Sequence, residues 1–137
     1  MRLLLLFALL VLLWLAWDLL APLFGVRQMP PWRLRRRLAE GQPPLLVDVR
    51  TPQEFNWFHI PGAINAPFGS TGFDAVLKLH SRPGGPPLKV VVVCMTGHRS
   101  PLVAWSLKRA GFGEVSNLTW GMAGWKLTGG ESVPGGK

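Results

Sequence analysis

The stretch KVVVVCMTGHRSPLVAWSLKRAG, residues 89–111, decides the fold. Four valines run into the only cysteine of the 137-residue chain. An unbroken β-branched run without polar alternation predicts a strand buried on both faces. Ser100 and Pro101 then carry the preferences of an N-cap and a first helical residue. Gly111 closes the helix they open. Strand, short loop and helix together make one β-α unit, with the thiol of Cys94 at the join.

The same alternation extends in both directions. PLLVDV, residues 44–49, is a second apolar run ending in a charge, as a doubly covered strand does. TPQEFNWF predicts a short helix with a capping box, in which Thr51 is the N-cap, Pro52 the first residue and Glu54 the third. PGAINAP reads as a turn and a brief strand, GFDAVLKLH as a helix, and SRPGGPP as a loop by its Gly and Pro content. GVRQM reads as a short first strand. PPWRLRRRLAEG reads as a helix starting after Pro31 and stopping at Gly41. EVSNL is the last strand and GMAGWKLTGG the last short helix. Strands alternating with helices predict an α/β fold, a parallel sheet with helices on both faces. Reactive groups in such sheets gather at the carboxyl ends of strands, which is where Cys94 stands.

Composition narrows the classes further. The length suits one ordinary domain. Fifteen Lys and Arg against seven Asp and Glu give a net charge of +8, which favours anionic partners. A single cysteine excludes an intrachain disulfide, and no Cys/His spacing resembles a zinc site.

The amino-terminal run Leu3 to Phe24 carries one charge, Asp18. As a helix it reaches about 33 Å at 1.5 Å per residue, against a hydrocarbon layer of about 30 Å. Its leucines, at about −0.5 kcal/mol each, outweigh about +3 kcal/mol for the Asp. The expectation is a single-pass membrane anchor over residues 1–24, followed by a domain over 25–133 and a tail over 134–137. A cleaved secretory signal is the competing reading, but no small-x-small pair ends the run. Arg27 and the Arg33–Arg37 cluster follow the run closely, so the domain is expected to face the cytoplasm, where a reducing medium suits a working thiol. The cluster is expected to meet anionic lipid rather than nucleic acid. A membrane-protein partner is a further expectation.

The cysteine loop carries the chemistry. It runs from Cys94 into a helix amino terminus, where unpaired N–H groups favour negative charge. Gly97 lets the backbone curl so that successive N–H groups turn inward. Arg99 adds a fixed positive charge, and His98 offers another. Each of these favours a thiolate. The bland alternative, Cys94 as a small apolar core residue, explains none of the residues that follow it.

With these residues in view, LLVDVRTPQEFNWFHIPGAINAP, VVVVCMTGHRS and NLTWGMAGWKLTGG resemble a single-domain rhodanese, a sulfurtransferase. The resemblance covers residue 26 to about residue 133. It implies a five-stranded parallel α/β sheet. It also implies that Cys94 takes a sulfane sulfur from thiosulfate or a similar donor as a persulfide. Met95, Thr96, Gly97, His98, Arg99 and Ser100 would hold that persulfide, and a thiol or cyanide would then accept the outer sulfur by covalent catalysis, with neither a metal nor an organic cofactor. Phe58 stands before His59 where the family often has Gly.

Two alternatives remain open. One is a persulfide carrier or binding module with little turnover. The other is a phosphatase or arsenate reductase of the same fold, whose loops place one more residue between Cys and Arg than the four here, Met95 to His98. Among the remaining residues, Arg50 is a candidate substrate contact and is also expected to pair with Glu54. Asp48 is read as a backbone anchor and His59 as an anchor of its turn. His80 and Asp74 are read as solvated helix positions. Trp120 and Trp125 are expected to pack the last helix, with Trp120 able to rim the pocket.

Overall fold

In a computed structural model of the chain, residues 1–78, 88–97 and 100–135 are described. The elements in order are α1 (Arg2–Leu20), a 3-10 turn (Ala21–Phe24), β1 (Arg27–Met29), α2 (Pro31–Ala39), β2 (Leu45–Asp48), α3 (Pro52–Trp57), β3 (Ile64–Asn65), α4 (Thr71–Lys78), β4 (Lys89–Val93), α5 (Ser100–Ala110), β5 (Glu114–Leu118) and α6 (Gly121–Leu127). The strands form one five-stranded sheet in the order β1-β5-β4-β2-β3. Every neighbouring pair is parallel. The valine run of β4 therefore occupies the middle of the sheet.

That position explains why the run is unbroken. Successive strand side chains point to opposite faces, and both faces are covered. Val90 and Val92 pack with Phe73 and Val76 of α4 and with Val103, Ala104 and Leu107 of α5. Val91 and Val93 pack on the other side with Leu34 of α2 and with Met122 and Trp125 of α6. The capping box of α3 forms as its sequence predicts: the Thr51 side chain accepts from Glu54 N at 3.2 Å, and Glu54 Oε2 accepts from Thr51 N at 3.1 Å.

The amino-terminal segment departs from expectation. α1 is 19 residues long, with its leucines exposed. It does not continue through Phe24, because Ala21–Phe24 tighten into a 3-10 turn. At 1.5 Å per residue the helix is about 28 Å long, short of the 33 Å expected for the whole run. Among the described residues no helix is long and apolar enough to cross a membrane. The single-pass anchor, and the cytoplasm-facing membrane placement that rested on it, are overturned by this finding. Two arginines of the 33–37 cluster are engaged within the fold, while Arg33 and Arg36 are exposed. Arg35 Nη1 donates to the Thr128 carbonyl, and Arg37 pairs with Glu114 at 3.4 Å.

Candidate active site

Cys94 follows the last residue of β4 at the carboxyl edge of the sheet. Its side chain is fully buried. The Gly97 N–H donates to Cys94 Sγ at 2.9 Å. The loop is held so that its carbonyls point outward. Cys94 O accepts from Met122 N at 2.8 Å, and Met95 O accepts from Ala123 N at 2.9 Å, both in the first turn of α6. Among the described residues no peptide bond is cis. In a trans peptide the N–H opposes the C=O, so these bonds turn the N–H groups of Met95 and Thr96 away from α6. Gly97 O in turn accepts from Asn117 Nδ2 at 3.1 Å. The curl needs a glycine at 97: its φ is +87°, and a Cβ there would stand 2.9 Å from Trp120 N.

Of the loop residues singled out by sequence, Cys94, Met95, Thr96 and Gly97 come together here. Met95 is half-buried, Thr96 is exposed and Gly97 is buried. Ser100 is the first residue of α5, one position before the start that the cap signal gave. His98 and Arg99 lie outside the described residues, as does His80.

Arg50 sits beyond the carboxyl end of β2, the strand beside β4. Its guanidinium pairs with Asp48: Nε stands 3.0 Å from Oδ1, and Nη2 stands 2.8 Å from Oδ2. Nη2 also donates to Phe58 O at 2.6 Å. Both side chains of the ion pair are fully buried. Asp48 supports the backbone as well, since Oδ1 accepts from Arg50 N at 3.1 Å. Arg50 was expected to pair with Glu54, but Asp48 is its partner and Glu54 closes the α3 cap. Nη1 of Arg50 is buried and has no hydrogen-bond partner.

His59 anchors its turn. Its Nδ1 lies 2.9 Å from Phe55 O, and its ring stacks on Phe55 at 3.8 Å. Its backbone exchanges two bonds of 2.9 Å with Val133. Asp74 is exposed in the first turn of α4. Trp125 is buried and donates from Nε1 to Glu131 O at 2.7 Å. Trp120 is half-exposed, with φ of 62°, and its ring stands 6.3 Å from that of Trp32. A mostly apolar cleft of about 550 Å³ lies along α5 between Val49, Phe68, Leu102 and Trp105.

Sequence reasoning passed over Asn117 and Gln28, and it did not foresee that α6 holds the cysteine loop. One signal was available for Asn117. It is a polar residue inside EVSNL, a strand whose neighbours are buried, and a buried polar side chain needs a partner.

Comparison with known proteins places these features. The family description "Rhodanese-like domain" matches residues 31–128. The chain is similar to thiosulfate sulfurtransferase 16, chloroplastic, of Arabidopsis thaliana, with 34% identity over 89 residues, 61% of this chain and 74% of that protein. It is also similar to a sulfurtransferase of Allochromatium vinosum, with 31% identity over 100 residues, 73% of this chain and 88% of that one. Longer curated relatives are spanned only in part, 40% and 22% of two of them. Among solved structures, the rhodanese-like domain of the Alr3790 protein of Anabaena superposes with a TM-score of 0.63 at 28% identity, covering 78% of each chain.

Proposed function

The chain belongs to the rhodanese-like domain family and is a rhodanese-type sulfurtransferase at the level of that family; from that premise we propose that it moves a sulfane sulfur through a persulfide on Cys94. The observation that carries the reading is the Gly97 N–H standing 2.9 Å from Cys94 Sγ, in a loop whose carbonyls are tied outward. Amide hydrogen atoms facing sulfur stabilise negative charge on it.

The donor is proposed to be thiosulfate or a similar anion. Cys94 thiolate attacks its outer sulfur. A new S–S bond forms to Cys94, the donor's S–S bond breaks, and sulfite leaves with that electron pair. A thiol or cyanide then attacks the outer sulfur of the persulfide and returns Cys94 as thiolate. Each step exchanges one bond to sulfur for another, so no external oxidant or reductant is required. The loop from Met95 to Ser100 supplies the donors around the persulfide, with Arg99 and His98 as its positive charge. Arg50 is proposed to meet the anion through Nη1, its one buried nitrogen without a partner. The working unit is proposed to span residues 25–133.

Intact mass measurement after thiosulfate treatment tests this. The full chain should gain one sulfur atom, and cyanide should remove it. Cys94→Ser should gain none. No gain in the parent chain, or release of phosphate from an aryl phosphate in place of sulfur transfer, overturns the reading.

A further inference from the structure

The cysteine loop is fastened from the sheet by a small buried polar cluster with no counterpart in the scheme above. Asn117 lies on β5 in register with Val92 of β4 and Gln28 of β1. Its side chain is fully buried. Nδ2 carries two hydrogens, and both are placed: one bond of 3.1 Å goes to Gly97 O and one of 3.1 Å to Gln28 Oε1. Gln28 Oε1 also accepts from Thr119 Oγ1 at 3.0 Å. Its other amide atom, Nε2, is buried without a partner. A flipped Gln28 amide would set Nε2 against Asn117 Nδ2, donor against donor. The orphaned nitrogen is the cost of presenting an acceptor to Asn117.

We infer that Asn117 is a positioning residue for sulfur chemistry: by holding the Gly97 carbonyl it pins Gly97 on the side away from Cys94, so that the residue whose N–H stands on Cys94 Sγ is held at both ends, and Gln28 orients the Asn117 amide for that task. Gly97 is the residue of the loop least able to hold its own orientation, because glycine has the widest range of backbone conformations. Its N–H meets the sulfur and its carbonyl meets Asn117, two bonds in successive peptide planes, so the Asn117 bond removes freedom that Gly97 would otherwise keep at φ and ψ. The inference rests on the persulfide reading for its functional meaning. Its geometry stands apart from that reading.

The test compares Asn117→Ala, Gln28→Met and Val115→Ala in the full chain. Val115 lies on the same strand but packs in the apolar core of the α4/α5 face. Three quantities are read: melting temperature, thiolate ultraviolet absorbance at neutral pH, and the rate of sulfur loading from thiosulfate. Asn117→Ala should lower the thiolate signal and slow loading about tenfold, the loss of one aligned hydrogen bond. Gln28→Met, which leaves Asn117 in place but unoriented, should move both in the same direction by less. Val115→Ala should lower the melting temperature with no change in thiolate signal. If Asn117→Ala does not fold, Gln28→Met decides alone. A folded Asn117→Ala or Gln28→Met with lowered melting temperature but unchanged thiolate signal and loading makes the cluster merely structural and overturns the inference. Failure of the parent chain to load sulfur is a different result: it overturns the transfer reading and leaves the thiolate comparison to judge Asn117.

Discussion

Gly121 rests directly against Cys94. A Cβ on Gly121 would stand 2.3 Å from the Cys94 carbonyl oxygen and 2.8 Å from Gly97 N, and its φ is +56°. Both contacts are with backbone that is itself hydrogen-bonded, so neither can give way cheaply. Gly121→Ala should therefore destabilise the fold by about 3 kcal/mol and push the cysteine loop off α6. Urea denaturation and sulfur loading check it together. A variant with parental stability and parental loading would show that the loop and α6 do not meet this closely.

The Asp48–Arg50 pair is wholly buried, which makes its halves unequal to the whole. Removing one partner strands the other charge. Arg50→Ala or Asp48→Ala should each cost about 3–5 kcal/mol. Arg50→Lys should also lose stability, because an ammonium cannot reproduce the forked contact with Asp48 and Phe58 O. Denaturant midpoints measure all three, and a loss under 1 kcal/mol for Arg50→Ala would count against a buried ion pair.

The α3 cap is exposed and local, so it should contribute little and independently. Thr51→Ala removes the acceptor for Glu54 N and should cost about 1 kcal/mol. Its effect should add to that of Gly121→Ala, since Thr51 and Gly121 share no partner among the described residues. Strong coupling in the double variant would link α3 to the cysteine loop.

Cys94 has no exposed surface. Its modification should therefore depend on reagent size. Iodoacetamide should alkylate it much faster, relative to a free thiol in solution, than a bulky dye-linked maleimide does. Thiosulfate, a compact donor, should load sulfur where a large persulfide donor fails. Equal relative rates for small and large reagents would mean that the thiol is open to solvent.

Much of the fold was legible because its signals are local. The valine run of residues 90–93 announced a doubly buried strand, and both of its faces are covered. Thr51, Pro52 and Glu54 announced α3 through contacts three residues apart. The pairing of Arg50 was misread because i, i+4 spacing has meaning only inside a helix. Arg50 precedes the Thr51 cap, and along an extended chain its neighbour on the same side is Asp48, two residues back. The amino-terminal run was misread for a related reason. A hydropathy sum counts residues to Phe24, but it does not know that the helix stops at Leu20 and that the chain then tightens.

Taken alone, the sequence determined the strands and helices of the domain after the amino-terminal run, that the sheet is parallel, and that Cys94 stands at a carboxyl edge. Short-range periodicity and capping chemistry suffice for those. Only the tertiary structure decided what holds the cysteine loop. Met122 and Ala123 take its carbonyls from α6, Asn117 takes Gly97 O from 20 residues away, and Gln28 orients Asn117 across 89 residues. Hydrogen-bond partners that far apart leave no spacing rule in the chain. They meet because sheet order sets β5 between β1 and β4, and the polar atoms buried there must pair with whatever the neighbouring strands and loop bring.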